Sequence, residues 1–371
     1  MSSNSPSAQT ISSGLPSPIR SLSTPSEMRQ AVLREPRHIE LVTCSVPSPG
    51  PGEVLLKVRA ALTCGTDLKT YRRGHPKVPF GPFGHECAGD VVAVGRGAHV
   101  REGDAVIPTP TAPCGKCGPC RQGRENLCER QFDEIVLGAF ADYLLVSGRV
   151  ARSHLLPKPD GLSYIEAAFL EPLACVIHAW DRLRPRPADQ VAVVGLGAIG
   201  LLHVMMAKAV GARVVAVGRR QERLQLAQRV GADAVVDTEG DSVSERILAQ
   251  TEGFGPDVVI ECTGNEAMWV EAPRWAAPGG RVVLFAGLAA GTKVAFDSAR
   301  LHYDEVDIIN TFHYRPKDIV DAHHLLVEGS IHVRPLVSGV TDLGSIVDVF
   351  SSLDRGHGVK YAILPEARAW A

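Results

Sequence analysis

The chain shows two different rhythms of hydrophobic and polar positions. Between residue 28 and about residue 143, apolar runs such as 54–58 and 91–94 are short and are interrupted by Pro-Gly and Gly clusters. From about residue 163, strand-like runs at 191–194, 214–217, 234–236, 258–261, 282–285 and 307–311 alternate with helical stretches. The first rhythm is typical of a small barrel or sandwich, and the second predicts a parallel, doubly wound sheet. The sequence therefore predicts an α/β protein with two structural units.

The two ends of the chain depart from these rhythms. Residues 318–328 are predicted to form a helix, and the run that starts at Lys360 is predicted to be a strand that returns to the first unit. Residues 1–26 are rich in Ser and Pro and contain no acidic residue, so we expect a disordered tail. A transit peptide is the alternative for this tail, although its pattern is poorly amphipathic.

Composition excludes several classes of protein. Hydrophobic residues make up 45% of the 371 residues, charged residues 22%, and the formal net charge is −2, as in a globular enzyme of two domains. The charge gives no reason to expect nucleic acid as a partner, and no apolar run is long enough to predict a membrane span. Nine cysteines, an odd number with one tight cluster, favour a reducing compartment, and we predict a cytoplasmic protein.

A glycine-rich loop follows the first strand of the second unit. The pattern G-x-G-x-x-G comprises Gly195, Leu196, Gly197, Ala198, Ile199 and Gly200, and a helical stretch follows it. The first glycine permits a tight turn, the second lets the backbone approach a pyrophosphate, and the third allows close packing of helix on strand. With several further strand–helix units behind it, this loop predicts a dinucleotide site rather than a turn without a ligand.

The end of the next predicted strand bears on the choice of coenzyme. An NAD site normally has Asp or Glu about 20 residues after the glycine loop, but this chain has Gly218, Arg219 and Arg220 there. Two guanidinium groups without a carboxylate favour the 2′-phosphate of NADP. The alternative is that both arginines are solvated charges at the start of a helix.

Four cysteines lie within fifteen residues of one another in a loop that also contains glycine and proline. They are Cys114, Cys117, Cys120 and Cys128. Four thiolates at this spacing can close a tetrahedral zinc site, and the spacing does not fit the bacterial ferredoxin pattern, so we predict a structural zinc site rather than an iron–sulfur cluster.

A second set of metal-binding residue types lies apart from this cluster. Cys64 and His85 provide sulfur and nitrogen, and Glu86 or Glu171 can add a carboxylate. Three protein ligands and one open position are what a catalytic zinc ion needs. By spacing alone, the alternative that these are ordinary core residues stays open.

Taken in order along the chain, these motifs resemble those of the zinc-dependent medium-chain dehydrogenase/reductase family, in its sorbitol and threonine dehydrogenase-like branch. The resemblance covers about residues 28–365 and includes Cys64-Gly-Thr66-Asp67, Gly84-His85-Glu86, the cysteine cluster, Glu171-Pro-Leu and the glycine loop. It implies a GroES-like β-barrel catalytic domain formed by residues 28–174 and 314–371, after a tail of residues 1–27. It also implies a Rossmann coenzyme domain formed by residues 175–313.

The resemblance also implies roles at matching positions. Cys64, His85, Glu86 and Glu171 match the surroundings of the catalytic zinc ion, with either glutamate bound directly or through water, and Thr66 matches the hydroxyl that starts a proton relay. The outer relay histidine is replaced by Lys69. Positions that match the nicotinamide half of the coenzyme site are Thr263, Gly264, Ala286, Gly287, Leu288, Thr311 and Phe312. Lys360 matches a basic residue that contacts the diphosphate.

The activity implied is hydride transfer between a nicotinamide coenzyme, NADP in preference to NAD, and a secondary alcohol or ketone, with two zinc ions per chain. Glu171, where alcohol dehydrogenases proper usually have Cys, favours a polyol, sugar, cyclitol or amino alcohol. The alternatives are an NAD-dependent enzyme for simple aliphatic or aromatic alcohols, a zinc-free reductase of the same fold, and a non-catalytic relative. The resemblance further implies a homodimer or homotetramer.

Overall fold

A computed structural model describes residues 24–75, 78–186, 188–240 and 242–366. Most of the predicted N-terminal tail therefore lies outside the described residues. Within the described residues, the first strand begins at Glu27, just before the predicted domain start at Met28, and the carbonyl of Ser26 accepts a hydrogen bond from the backbone N–H of Val46 at 3.0 Å.

The described residues form sixteen strands and twelve α-helices. The strands are β1 (Glu27–Glu35), β2 (His38–Ser45), β3 (Val54–Leu62), β4 (Gly81–Pro82), β5 (Glu86–Val94), β6 (Ala105–Pro108), β7 (Tyr143–Val146), β8 (Leu155–Pro157), β9 (Gln190–Val194), β10 (Arg213–Gly218), β11 (Ala234–Asp237), β12 (Val258–Glu261), β13 (Arg281–Leu284), β14 (Asp307–Asn310), β15 (Val337–Asp342) and β16 (Lys360–Leu364). The helices are α1 (Gly65–Arg73), α2 (Gly118–Arg121), α3 (Gly148–Ser153), α4 (Tyr164–Ala167), α5 (Leu170–Leu183), α6 (Ala198–Ala209), α7 (Gln221–Arg229), α8 (Val243–Gln250), α9 (Glu266–Trp275), α10 (Ser298–His302), α11 (Pro316–Val327) and α12 (Ile346–Asp354).

The first unit is built from two β-sheets. One has the order β2-β1-β4, and the other has the order β15-β16-β3-β5-β6-β8, with β7 also paired to β3. Strand β16 runs antiparallel to β3, with Ala362 opposite Leu62. The C-terminal segment therefore returns to the first unit, as the sequence predicted.

The second unit is a six-stranded sheet in the order β11-β10-β9-β12-β13-β14, and every described strand pair in it is parallel. This is the order of the Rossmann fold, in which a ligand binds where the strand order reverses, outside the carboxyl ends of the strands. All six strands predicted from the hydrophobic runs are present. The predicted α/β class and doubly wound sheet are confirmed.

Helix α5 joins the two units through a continuous hydrophobic core. Its buried face belongs to a cluster that includes Leu62 of β3, Val193 of β9 and Ile319 of α11. The two units therefore share one core, while Thr263, Gly287 and Phe312, which follow β12, β13 and β14, stay exposed. Among the described residues, we find no helix with the length and apolar character needed to cross a membrane.

Candidate active site

Cys64, His85 and Glu86 come together although His85 and Glu86 lie 21 and 22 positions after Cys64. Cys64 is the N-cap residue of α1, His85 immediately precedes β5, and Glu86 is the first residue of β5. One potential ligand atom from each lies within 4.8 Å of the other two. Sulfur, nitrogen and oxygen donors at such separations fit a zinc ion.

Asp67 holds two of these residues in place. Its Oδ2 accepts a hydrogen bond from the backbone N–H of Cys64 at 3.3 Å, which completes a capping box at the start of α1. Its Oδ1 lies 3.1 Å from His85 Nδ1. A carboxylate on Nδ1 directs Nε2 of the same ring towards a metal ion.

Glu86 has one oxygen engaged and one without a partner. Its Oε2 forms a buried ion pair with Lys360, whose ammonium group also donates to the carbonyl of Thr63 at 2.8 Å. Oε1 is buried and has no hydrogen-bond partner among the described residues. An orphaned buried carboxylate oxygen is costly unless a cation occupies the space it faces, so this site fits a metal ion.

The position of Lys360 differs from the one expected of a diphosphate ligand. The side chain is 1% exposed, and its charge is directed to Glu86 and Thr63. The physical reason is that a buried ammonium group and a buried carboxylate each need an opposite charge nearby, and Lys360 and Glu86 provide it for each other.

Burial and neighbouring charges shift the pKa values of Cys64, His85 and Glu171. Burial raises the pKa of the Cys64 thiol, and the Glu86 carboxylate raises it further. Burial works to lower the pKa of His85, but Asp67 and Cys64 together raise it well above its ordinary value. Burial raises the pKa of Glu171 to about 7, against the opposing effects of His85 and Lys360.

Glu171 lies close to the first three ligands but clusters with different residues. Its carboxylate, the Cys175 thiol and a ring nitrogen of His313 lie within 4.8 Å of one another, as a separate group from Cys64, His85 and Glu86. The structure thus differs from the expectation that all four residues surround one ion. Thr66 lies in the first turn of α1, where its N–H donates to Cys64 Sγ at 3.4 Å.

The four clustered cysteines also converge, in a lobe that comprises residues 114–128. Ligand atoms of Cys114, Cys117, Cys120 and Cys128 all lie within 4.8 Å of one another. Hydrogen bonds from the backbone, chiefly at Lys116, lower the pKa of Cys114 to about 6, and the backbone at Cys120 lowers the pKa of Cys117. Burial instead raises the pKa of Cys120 to about 12 and also raises that of Cys128. The four converging thiols, two of them held by backbone N–H groups that stabilise thiolates, form a donor set that suits a zinc ion.

The lobe also touches the coenzyme domain. Asn126 Nδ2 donates to the carbonyl of Phe312 at 3.0 Å, and Phe312 belongs to the segment that follows β14. The lobe therefore supports a strand end at which we expect the nicotinamide to bind.

The glycine loop has the shape that its sequence predicts. Gly195 has φ 94°, and a Cβ on Gly200 would lie 1.9 Å from the carbonyl oxygen of Gly195, so helix and strand meet too closely for any larger residue. A Cβ on Gly197 would meet nothing within 4 Å. Gly197 is also the N-cap of α6 and provides no side chain to cap it, so the first N–H groups of the helix face an open space suited to a phosphate.

Three arginines gather where β10 ends. Arg220 donates to the carbonyl of Gly356, and Arg223, one turn later, donates to the carbonyl of Gly358 at 2.9 Å. Among the described residues, no carboxylate forms an ion pair with Arg219, Arg220 or Arg223. Burial chiefly, and then the charges of Arg220 and Arg219, lower the pKa of Arg223, against the opposing effect of Glu222, so three guanidinium groups lie close together here.

The remaining predicted coenzyme residues lie at carboxyl ends of neighbouring strands. Thr263 and Gly264 follow β12, Ala286, Gly287 and Leu288 follow β13, and Thr311 and Phe312 follow β14. The buried carboxylate of Glu261 accepts hydrogen bonds from the N–H of Thr263 at 2.6 Å and of Gly264 at 3.2 Å, which fixes the first of these turns.

Several residues of the cleft were missed by the sequence analysis. Glu261 looks like a strand residue, and only its burial shows its function as an organiser of the turn. Arg223 could have been found as the residue one helical turn beyond Arg219 and Arg220, and Cys175 as the residue one turn beyond Glu171.

Comparison with known proteins gives this geometry a family. Residues 50–160 match the family model described as alcohol dehydrogenase GroES-like domain, and residues 198–328 match the one described as zinc-binding dehydrogenase. Sorbitol dehydrogenase from Bacillus subtilis (strain 168) is 34% identical over 89% of this chain and 94% of its own length. This chain is a zinc-dependent medium-chain alcohol dehydrogenase of the sorbitol dehydrogenase-like branch.

Further relatives of this dehydrogenase agree with the assignment. D-arabitol-phosphate dehydrogenase from Enterococcus avium is 32% identical over 87% of this chain and 92% of its own length. A crystal structure of a zinc-binding dehydrogenase from Sinorhizobium meliloti 1021, bound to NADP, superposes with a TM-score of 0.85 at 32% identity and covers 92% of this chain and 100% of that one. The protein is an enzyme of alcohol oxidoreduction that uses zinc and a nicotinamide coenzyme and acts on small-molecule alcohols.

Proposed function

We propose that this dehydrogenase uses NADP in preference to NAD and interconverts a secondary hydroxyl and a ketone on a polyol, sugar, cyclitol or amino alcohol. The observation that carries the proposal is the convergence of Cys64, His85 and Glu86, with an unpartnered Glu86 oxygen, beside the carboxyl ends of the coenzyme-domain strands. The net reaction removes a hydride and a proton from the alcohol and reduces NADP⁺ to NADPH.

The catalytic zinc ion would be held by Cys64, His85 and Glu86, with Glu171 close by, and a second, structural ion by the lobe of residues 114–128. A zinc ion bound at the first site would supply Lewis acidity for the substrate hydroxyl. Asp67 orients His85, and the hydroxyl of Thr66 would take the proton that leaves the substrate.

Coenzyme orientation would depend on the three strand ends. The turns after β12, β13 and β14 would position the nicotinamide, and the open face of Gly197 with the start of α6 would hold the pyrophosphate. Lys69 of α1 belongs to the same region, because a Cβ on Gly264 would lie 3.5 Å from its Nζ. The position where the resemblance would place the outer relay histidine therefore has an ammonium group, and this group lies near the carboxyl end of β12.

Preference for NADP rests on charge. A 2′-phosphate beside Arg219, Arg220 and Arg223 would gain charge-assisted hydrogen bonds and relieve the repulsion among the guanidinium groups. Gly218 leaves no room for an NAD-type carboxylate without displacement of Leu196, because a Cβ there would lie 2.8 Å from Leu196 Cγ. The NADP bound by the Sinorhizobium meliloti relative supports the same preference.

A hydrophilic substrate fits the polar groups that surround Glu171. Thr111 Oγ1 lies 2.6 Å from His313 Nε2 and accepts a hydrogen bond from Gln131 Nε2 at 2.8 Å. The names of the sorbitol and arabitol-phosphate relatives point to the same substrate class.

We also propose the domain limits predicted from the sequence: residues 28–174 and 314–371 for the catalytic domain and residues 175–313 for the coenzyme domain. For the assembly, we propose a homodimer or homotetramer in the cytoplasm. In the described sheet, β14 is an edge strand with unpaired backbone groups that a second copy could extend. Size-exclusion chromatography with light scattering measures the assembly directly.

One experiment tests both the proposed preference for NADP and the proposed class of substrate. With a panel of polyols and simple alcohols, kcat/KM is measured with NADP and with NAD for the wild type and for the double variant Arg219→Ala/Arg220→Ala. Loss of hydrogen bonds to a charged group, about 1.5–3 kcal/mol, is expected to lower kcat/KM with NADP by roughly 10–100-fold and to change the value with NAD little.

Arg213→Ala is the matched control, because Arg213 is an exposed residue at the opposite end of β10. A wild-type enzyme as active with NAD as with NADP, or one that prefers simple alcohols, would contradict the proposal. Full activity of a Cys64→Ser variant would contradict the assignment of the catalytic zinc ion.

A further inference from the structure

One cationic side chain of the cleft has no partner in the part of the chain that the structure describes. Lys69 lies on α1 and is half-buried. Among the described residues, neither an ion pair nor a hydrogen bond engages its ammonium group. A half-buried ammonium group without an opposite charge is suited to an anionic ligand.

The side chain of Lys69 reaches from the first unit to the coenzyme domain. A Cβ on Gly264, in the turn after β12, would lie 3.5 Å from Lys69 Nζ and 3.3 Å from the carbonyl oxygen of Gly287. The glycine loop lies against the same turn, because a Cβ on Gly195 would lie 2.7 Å from Thr263 Cγ2. The ammonium group is therefore placed where the turn after β12 adjoins the loop that leads to the open start of α6.

The basic residue that the resemblance assigns to the diphosphate is engaged elsewhere. Lys360 is 1% exposed, forms an ion pair with Glu86 and donates to the carbonyl of Thr63. Its release would leave the Glu86 carboxylate buried without a counter-charge, which is strongly destabilising. The negative charges of the diphosphate therefore need a cation of the first unit other than Lys360.

The arginines at the end of β10 are separate from Lys69. The sheet has the local order β10-β9-β12, so Arg219, Arg220 and Arg223 lie on one side of the strand that leads into the glycine loop, and Lys69 lies on the other. The arginines are thus placed for the adenosine end of the coenzyme, whereas Lys69 is placed for the part that NAD and NADP have in common.

We propose that Lys69 binds the diphosphate of the nicotinamide coenzyme, the contact that the resemblance assigns to Lys360. The inference rests on the proposed orientation of the coenzyme, with its diphosphate at the start of α6 and its nicotinamide at the strand ends. The ammonium group donates charge-assisted hydrogen bonds to phosphate oxygens. In this role it stays protonated and does not accept the proton that leaves the substrate.

The test is the dissociation constant of the zinc-loaded enzyme for NADPH and for NADH without substrate, measured by the change in coenzyme fluorescence. Loss of the charge-assisted contact is expected to raise both constants by the same factor, roughly 10–100-fold, in Lys69→Met and in Lys69→Gln. Lys69→Arg keeps the charge and should retain most of the affinity. Added salt should weaken coenzyme binding less in Lys69→Met than in the wild type, because one ion pair fewer is screened.

Arg73→Met is the matched control, because it removes an exposed cation from the same helix and should leave both constants unchanged. Wild-type affinity for both coenzymes in Lys69→Met and Lys69→Gln would overturn the proposal. So would normal binding with a reduced kcat, which would assign Lys69 to the proton relay, or an equal loss of affinity in Lys69→Arg. Failure of the proposed preference for NADP is distinguishable, because it would appear as tighter binding of NADH by the wild type, whereas the effect of Lys69 is measured with either coenzyme.

Discussion

Asp67 shows how much of this site depends on a residue that need not touch a metal ion or the substrate. One carboxylate caps α1 through the N–H of Cys64 and fixes the imidazole of His85. It is 3% exposed, so water cannot replace either contact. Two ligands from distant parts of the chain are thus aligned by a single buried group.

We predict that Asp67→Asn loses metal affinity without unfolding. The amide keeps the size of the side chain but removes the charge that orients His85, and loss of such an outer partner typically costs 10–100-fold in metal affinity or activity. Zinc retention against a chelator measures the effect. Asp133→Asn, which removes an exposed ion pair with Arg130, is the control. Unchanged zinc retention in Asp67→Asn would contradict the role given to Asp67.

For individual residues, the sequence predicted which residue types form the site better than it predicted which side chains they contact. Cys64, His85 and Glu86 could be proposed from short motifs, because zinc accepts few residue types. Lys360 could not be paired with Glu86 in advance, because the two lie 274 residues apart and only the return of β16 to β3 brings them together. Its expected contact with the diphosphate therefore gave way to a buried ion pair.

At the scale of elements, hydrophobic runs predicted the coenzyme-domain strands closely. Strands of a parallel sheet are covered on both faces, so they stand out as continuous apolar runs, and β12 coincides with the predicted 258–261. The apolar runs of the first unit predicted only a barrel or sandwich, and the GroES-like β-barrel was implied by the family resemblance alone. The reason is that the strand order of this unit depends on long-range pairing such as that of β16 with β3. The lobe of residues 114–128 was predicted as a metal site, but not its contact with Phe312.

That contact leads to a prediction about the lobe. Cys117→Ser should lose one zinc equivalent and make residues 114–128 more susceptible to limited proteolysis, since the lobe has only short helical elements apart from its cysteines. We expect kcat/KM to fall as well, because Asn126 then no longer supports Phe312. Asn126→Ala isolates the second effect and should lower kcat/KM while zinc content stays constant. Full activity in both variants would show that the lobe does not support the site.

For the whole molecule, the connection between the two units depends on α5 and α11. His178 of α5 and Asp318 of α11 are both buried, with His178 Nδ1 2.9 Å from Asp318 Oδ2. Arg315 also donates to Asp318 and reaches Asp181 of α5 at 2.8 Å. The buried carboxylate of Asp318 thereby connects α5 to α11, the two helices on which the connection between the units depends.

This network predicts the acid sensitivity of the enzyme. Burial alone would raise the pKa of Asp318, but hydrogen bonds from His178 and Arg315 outweigh it and lower the pKa from 3.8 to about 2. A carboxyl with a depressed folded-state pKa contributes stability above its unfolded value and loses it as pH falls from about 4 towards 2, here about 2.5 kcal/mol. The thermal midpoint of the wild type should therefore fall more steeply between pH 4 and pH 2 than that of Asp318→Asn. The variant starts with a lower midpoint, because His178 and Arg315 lose their buried partner. Asp321→Asn removes a more exposed ion pair on the same helix and should keep the wild-type slope. Parallel pH profiles for the wild type and Asp318→Asn would mean that acid acts elsewhere than at the α5–α11 connection.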